Sequence, residues 1–232
     1  MQRNQKSYVF MENLDQKMLP DFEPVVYSEV IEQHDKIIIV ASSREAKKFK
    51  PLDGYVVIAV NAAINITKEY TDYWITVDLS ETNLDILRNK PYNHVKYYAA
   101  IPPHFGTEYA LLPRHRNLVL DDVHYLERIA SSNNGPKAGL AEDKSQIHTG
   151  NSAYGALGLA YHMQPKEIII LGVNGNRTSP KFDNKYCRGD LSHLKALFSS
   201  AKPQLDDAGI NVFNANRFTI VDCFDKIDPF ID

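Results

Sequence analysis

The chain has 232 residues, 44% of them hydrophobic and 24% charged, which suits one generous soluble α/β domain and is short for two. A formal charge of −3 and a pI near 6.2 give no overall attraction to nucleic acid, and no apolar run approaches the roughly 20 residues that span a bilayer. Cys187 and Cys223 are spaced for neither a zinc site nor a redox pair. Arg3 and Lys6 are not followed by an apolar core, so no secretory signal is expected and a cytoplasmic location follows by default.

Residues 1–33 are polar and mixed, with Pro20 and Pro24, and read as an N-terminal extension ahead of a domain covering 34–232. Ile37 to Ala41 is an apolar run without alternation, as expected of a parallel strand covered on both faces. Ser42-Ser43-Arg44-Glu45 then opens a short helical stretch, where two hydroxyls and a cation either cap the helix or meet a ligand. Tyr55 to Val60 is a second strand ending at Asn61, whose amide can read a base or sugar edge or close a turn. A third strand runs from Thr71 to Asp78, and that carboxylate is open to three roles: capping the next helix, holding a metal, or binding a ligand hydroxyl. Val95 to Ala99 is a fourth strand, stopped by Pro102-Pro103.

From 101 to 147 the pattern degrades into scattered His and Arg residues and a loop signal at Ser131 to Pro136. The expectation is a lid-like insertion over the active face, with a short strand near Leu118 and helix from Asp122 to Ala130. The stretch from His148 to Arg177 then organises the rest. Thr149, Gly150, Asn151 and Ser152 supply capping groups, so a helix starts near Ser152 with free N–H groups suited to phosphate. Ala153 to Met163 is apolar or small almost all round, the mark of a helix pressed onto a sheet, and Gly155 and Gly158 let it sit close. After Pro165, Ile168 to Leu171 is another buried strand, followed at its carboxyl end by Gly172, Asn174, Gly175, Asn176 and Arg177. A polar loop holding Tyr186 leads to a helix at Leu191 to Phe198 with His193, a last strand at Ile210 to Phe213, and a tail that packs back through Ile220, Val221, Phe224, Ile227 and Phe230.

The fold class is therefore α/β: a single Rossmann-like domain with a mostly parallel central sheet flanked by helices. Parallel strands bring Ser42, Ser43, Arg44, Asn61, Asp78, Asn174, Asn176, Arg177, Asn214 and Asn216 to one edge with the Thr149–Ser152 helix start. That edge has hydroxyls, amides and arginines. It has no metal-ligand spacing, nucleophile elbow, dinucleotide fingerprint or Walker A sequence. The chemistry left is binding of a phosphorylated, sugar-bearing compound and group transfer from it.

The order of these motifs resembles the DUF115 and MAF-type superfamily, related to bacterial sialyltransferases of the family 42 type and to phage-encoded glycosyltransferases. The likeness rests on the Ser-rich turn, the strand ending Val60-Asn61, Asp72-Tyr73-Trp74-Ile75-Thr76-Val77-Asp78, Thr149-Gly150-Asn151-Ser152-Ala153-Tyr154 and Ile169-Ile170-Leu171-Gly172-Val173-Asn174. It is also carried by the closing Asn214-Ala215-Asn216-Arg217 with Val221-Asp222-Cys223-Phe224, and it covers roughly residues 36–80 and 146–226.

The resemblance implies an inverting, metal-independent glycosyltransferase without a cofactor. A nucleotide sugar is the donor, and the acceptor is a glycan or a hydroxymethylated base in phage DNA, in the host cytoplasm if the chain is phage-encoded. It places Ser42 and Ser43 at the donor phosphate or acceptor, Asn61 at the donor, and Thr149 to Ser152 at the nucleotide phosphate. His193 matches a catalytic histidine, with His148 and Asp78 the next candidates for the base. Arg44 or Arg177 would stabilise the leaving phosphate, and Tyr186 is the match for tyrosines that ease its departure. The chain departs from the family at Ala41-Ser42, where the family has Gly-Pro, and at Asn174, where an Asp is usual. Assembly of identical copies is a further expectation. Two other functions fit the cleft: a pyrophosphokinase using ATP and Mg²⁺, for which Asp78 is the available carboxylate, and a nucleotide-binding module without catalysis, which Asn174 would suit.

Overall fold

Three isoleucines and a valine in succession need cover on both faces, and the strand they form, β1 (Lys36–Val40), lies inside a sheet with every residue after Lys36 buried. Ile37 and Ile39 face one core cluster, and Ile38 and Val40 face another. The computed structural model describes residues 27–28, 32–101, 120–132, 135–175, 181 and 191–230. After β1 come β2 (Val56–Val60), the single turn α1 (Ile64–Thr67), β3 (Tyr73–Thr76), α2 (Glu81–Asn89), β4 (Lys96–Ile101), β5 (Val123–Ile129) and β6 (Gln146–His148). Then follow α3 (Ser152–His162), β7 (Glu167–Leu171), α4 (Leu194–Asp207), β8 (Asn211–Asn214) and β9 (Asp225–Lys226).

The nine strands form one sheet in the order β6-β5-β4-β3-β2-β1-β7-β8-β9, with every pairing parallel. The chain steps outward from β1 to β6 and then crosses back along α3 to enter β7 on the other side of β1. Strand order therefore reverses between β1 and β7, and all carboxyl ends share one edge, which is where open α/β sheets bind ligands. On one face α3 and α4 cover Ile37, Ile39, Ile58, Ile75, Tyr98 and Ile168. On the other, α2 packs Leu84 and Leu87 against Trp74 and Tyr97.

Every residue of α3 except Tyr161 is buried, in keeping with its apolar sequence. Its approach to the sheet depends on Gly155, because a Cβ there would lie 2.6 Å from Val77 Cγ1. Of the tail residues expected to pack back, Val221, Phe224 and Phe230 are buried and Ile220 and Ile227 half-buried, and the tail adds the short strand β9. Ahead of β1, Ser28 N donates to the Tyr125 carbonyl, and Glu32 accepts from Tyr73 Oη and pairs with Lys96.

Asp122 to Ala130 is not helical, contrary to expectation. Val123 and Tyr125 face the α2 side while Leu126 faces α3, so the period is two, and Asp122 turns into the strand at φ 58°. With β6, this segment extends the sheet by two strands inside the stretch read as an insertion. Residues 102–119, including the strand expected near Leu118, lie outside the described residues. Among the described residues no helix is long and apolar enough to cross a membrane.

Candidate functional site

The carboxyl ends of β3 and β6 meet at the start of α3. Asn151 is the N-cap, and its Oδ1 accepts from Tyr154 N at 2.8 Å. Ser152 is buried, and its Oγ accepts from Val77 N at 3.2 Å. Two capping groups of the Thr149–Ser152 corner are thus used internally, while the backbone N–H groups of Ser152 and Ala153 have no partner among the described residues. Those donors, with the positive end of the helix, suit an anion. Gly150 is closed in by α4, since a Cβ there would run into Leu197 Cδ2. Thr149 continues the β5–β6 ladder through N to the Ile129 carbonyl at 2.8 Å.

Asp78 follows β3 with its side chain exposed. It does not cap α2, which begins after Ser80; instead its carbonyl accepts from Asn83 Nδ2 at 2.7 Å and from Thr76 Oγ1 at 2.8 Å. Its carboxylate has no partner among the described residues.

Beside it stands a cation that the sequence reading missed. Arg128 of β5 is half-buried, and its Nη1 donates to the Val77 carbonyl at 2.9 Å. It has no carboxylate partner among the described residues. A guanidinium carries five donors, and only this one has a partner among the described residues. The available signal was the alternation of Val123, Tyr125 and Leu126, which marks a strand and puts Arg128 near its carboxyl end.

At the strand-order reversal, the loops after β1 and β7 are zipped together. Ser43 N donates to the Gly172 carbonyl at 2.9 Å, and Gly172 sits at φ 83° where a Cβ would strike the Ala41 carbonyl. Asn174 is buried, with its Nδ2 turned to lie 2.9 Å from both the Phe218 carbonyl and Glu45 Oε2 and 3.2 Å from Ser43 Oγ. Asn174 is thereby a brace between loops, as are two other asparagines grouped with the cleft. Asn216 Oδ1 accepts from Gly172 N at 2.6 Å and Val173 N at 3.1 Å, and Asn214 Nδ2 donates to the Val221 carbonyl at 2.7 Å. Ser42 is half-buried and Arg44 exposed, and neither side chain has a partner among the described residues.

Asn61 and His193 behave differently. Asn61 ends β2 at φ 52°, and its carbonyl accepts from Trp74 Nε1 at 2.7 Å, but its Oδ1 is buried without a partner. His193 is the N-cap residue of α4 and makes no side-chain cap bond; its Nε2 is likewise buried without a partner. The first turns of α4 pack on both loops that frame the edge: Leu197 against Gly150, and Leu194 Cδ1 3.6 Å from the Cβ position of Gly175. His148 is anchored through Nδ1 to the Gly139 and Ala138 carbonyls at 2.8 and 3.1 Å, an environment that makes Nδ1 the protonated nitrogen and leaves Nε2 the lone pair. Burial lowers its pKa below the ordinary imidazole value.

Asn176, Arg177 and Tyr186 lie outside the described residues. Among the described residues no group of three or more His, Cys, Asp and Glu is placed to hold a metal ion.

No protein-family model and no curated protein matches the chain. Its fold is similar to that of the MAf glycosyltransferase from Magnetospirillum magneticum AMB-1, with a TM-score of 0.58 at 11% identity, covering 88% of this chain and 35% of that one. The chain thus spans about a third of the length of that protein. The sialyltransferase CstII from Campylobacter jejuni, solved with cytidine-5'-monophosphate, aligns over 86% of this chain and 88% of that one, with a TM-score of 0.48 and 12% identity.

Proposed function

We propose that the chain is a nucleotide-sugar-dependent glycosyltransferase whose donor lies along the carboxyl edge of the sheet, from the α3 start to Asn61. One observation carries this reading. Among the described residues the buried side-chain polar atoms without a partner are Asn61 Oδ1 and His193 Nε2, and both are on that edge. An unsatisfied buried polar atom costs about 1–3 kcal/mol, so such atoms persist where a ligand supplies the missing bond. The arrangement of phosphate-ready N–H groups, an Arg128 without a carboxylate partner among the described residues and an uncommitted amide suits a nucleotide. That a MAf glycosyltransferase shares the fold over 88% of the chain supports sugar transfer as the reaction.

In the proposed step His193 Nε2 takes the proton of an acceptor hydroxyl, and that oxygen forms a bond to the anomeric carbon. The bond from this carbon to the phosphate oxygen breaks, and its electron pair leaves with the nucleotide. Attack opposite the leaving group inverts the anomeric centre. Arg128 and the Ser152 and Ala153 amides take up the charge that develops on the phosphate, and no metal is assigned a role. The imidazole then returns its proton to solvent.

The test is release of nucleotide from CMP-, UDP- and GDP-sugars, with and without EDTA. Turnover of one donor that survives EDTA and falls about 10²–10⁴-fold in His193→Ala is the expected result. Consumption of ATP alone, and only with Mg²⁺, would overturn the proposal. Nucleotide binding without turnover would mark a binding module instead.

A further inference from the structure

In the order β2-β1-β7 the loop after β1 stands at the strand-order reversal, between Asn61 and the loop after β7. Val40 pairs with Ala59, so Ser42 and Asn61, each two residues further on, leave the sheet on neighbouring strands about 4.8 Å apart. The loop thus carries Ser42, whose hydroxyl has no partner among the described residues, past the Asn61 whose Oδ1 is buried without one.

On its other side this loop is held by Glu45, in the short helical turn Arg44–Lys48. Glu45 Oε1 accepts from Arg217 N at 2.9 Å and from Phe218 N at 3.2 Å, and its Oε2 lies 2.9 Å from Asn174 Nδ2. The same Asn174 amide lies 2.9 Å from the Phe218 carbonyl and 3.2 Å from Ser43 Oγ, and Ser43 N donates to the Gly172 carbonyl at 2.9 Å. One side chain therefore binds three segments distant in sequence: the loops after β1, β7 and β8. By its charge alone a carboxylate is unfavourable on an edge that suits an anion. Arg44 precedes it in the chain, yet the two form no ion pair, and Arg44 has no partner among the described residues. All three donors to Glu45 are neutral N–H groups, so the carboxylate fixes the backbone and leaves the cation unpaired.

We propose that Glu45 is a positioning residue of the donor site: by clamping the loop after β1 against the loop after β7 and residues 217–218, it holds Ser42–Arg44 in place beside Asn61. This rests on the glycosyltransferase reading, in which a nucleotide occupies that edge. A clamp of this kind acts through the fraction of time the loop spends in the binding arrangement, and affinity falls with that fraction.

The test compares Glu45→Asp and Glu45→Gln with the wild-type chain. Asp keeps the charge but is one methylene shorter and falls short of the three donors. Gln gives up the charge but keeps an acceptor oxygen at the reach that Arg217 N and Phe218 N require. Binding of CMP, UDP and GDP is measured by calorimetry at a temperature where circular dichroism shows all three proteins folded, so that global stability does not enter. For a nucleotide that the wild type binds, Glu45→Asp should lose about 10-fold or more, the loss for a loop that is competent about a tenth of the time, and Glu45→Gln should lie closer to the wild type. The reverse order, with Gln the weaker, would make Glu45 an electrostatic group, and equal affinities in all three would make it a tie of the fold alone. Either result overturns the assignment and leaves the transferase reading standing. A wild-type chain that binds none of the nucleotides removes that reading, and the assignment with it.

Discussion

The guanidinium of Arg128 reaches over β4 to the Val77 carbonyl at 2.9 Å, and the amide of the same Val77 donates to Ser152 Oγ at 3.2 Å. The far side of the sheet, the end of β3 and the start of α3 are thus joined through one residue. The cation and the helix start thus share Val77 as a partner.

Arg128→Ala should weaken nucleotide binding at least about 10-fold, the effect of losing one charge-assisted hydrogen bond. Arg128→Lys should recover only part of it, because an ammonium cannot reproduce the planar fork. Calorimetry on the three proteins decides the matter. Equal affinities would make Arg128 a structural tie to Val77 and nothing more.

Asn61 allows backbone and side chain to be separated. Its left-handed φ of 52° is open to Gly, and the Trp74 bond goes to its carbonyl, so Asn61→Gly should keep stability within about 1 kcal/mol. Nucleotide affinity should nonetheless fall about 10-fold with the loss of Oδ1. Asn61→Ala should add a stability loss of about 1–2 kcal/mol for holding a Cβ in that region. Unchanged affinity in the Gly variant would remove Asn61 from the site.

The centre of this fold is written plainly in the residues, because Ile37–Val40 and Ile168–Leu171 are unbroken apolar runs that only a doubly covered parallel strand explains. β5 was hidden: its alternation passes through His124, Glu127 and Arg128, and the half-buried positions of a strand near the sheet margin tolerate charge. Of the candidate site, the residues indicated the shared edge of the sheet. Beyond that, letters do not separate roles. Asn61, Asn174, Asn214 and Asn216 all follow strands, yet three of them brace the protein's own loops and one keeps an unpaired oxygen. That division depends on partners distant in sequence, such as Glu45 for Asn174 and Ile170 for Asn216.

The two helical glycines of α3 should behave oppositely. A Cβ at Gly155 would meet Val77 Cγ1 at 2.6 Å, close to the backbone of a buried strand end, and the overpacking cost of about 1–3 kcal/mol outweighs the gain of about 1 kcal/mol in helix propensity. At Gly158 the nearest atom is Ile147 Cδ1 at 3.2 Å, the movable tip of a side chain. Denaturant melts should show Gly155→Ala destabilised and Gly158→Ala neutral or stabilised. Similar losses in both would mean that α3 is seated differently.

Burial is the largest cause lowering the imidazole pKa of His124, His148 and His162 below the ordinary 6.5. A group whose folded pKa is depressed contributes stability that is complete above its unfolded value and is lost as pH falls through the folded one. The melting temperature should therefore hold above about pH 7 and decline from about pH 6.5 downward, ahead of the carboxylates. His162 is 3% exposed with Nε2 2.9 Å from the Gln146 carbonyl, so His162→Gln should shallow the decline. A profile identical to wild type would exclude it as a contributor.

The claim on which the rest depends is that a nucleotide occupies the carboxyl edge of the sheet. Amide hydrogen exchange of the wild-type chain, with and without a saturating nucleotide, tests it most directly. Protection should appear in peptides holding Ser42–Arg44, Asn61–Ala63 and Thr149–Ala153. Protection confined to the opposite edge, around Glu32–His34 and Lys96, or no protection with any nucleotide, would contradict the account.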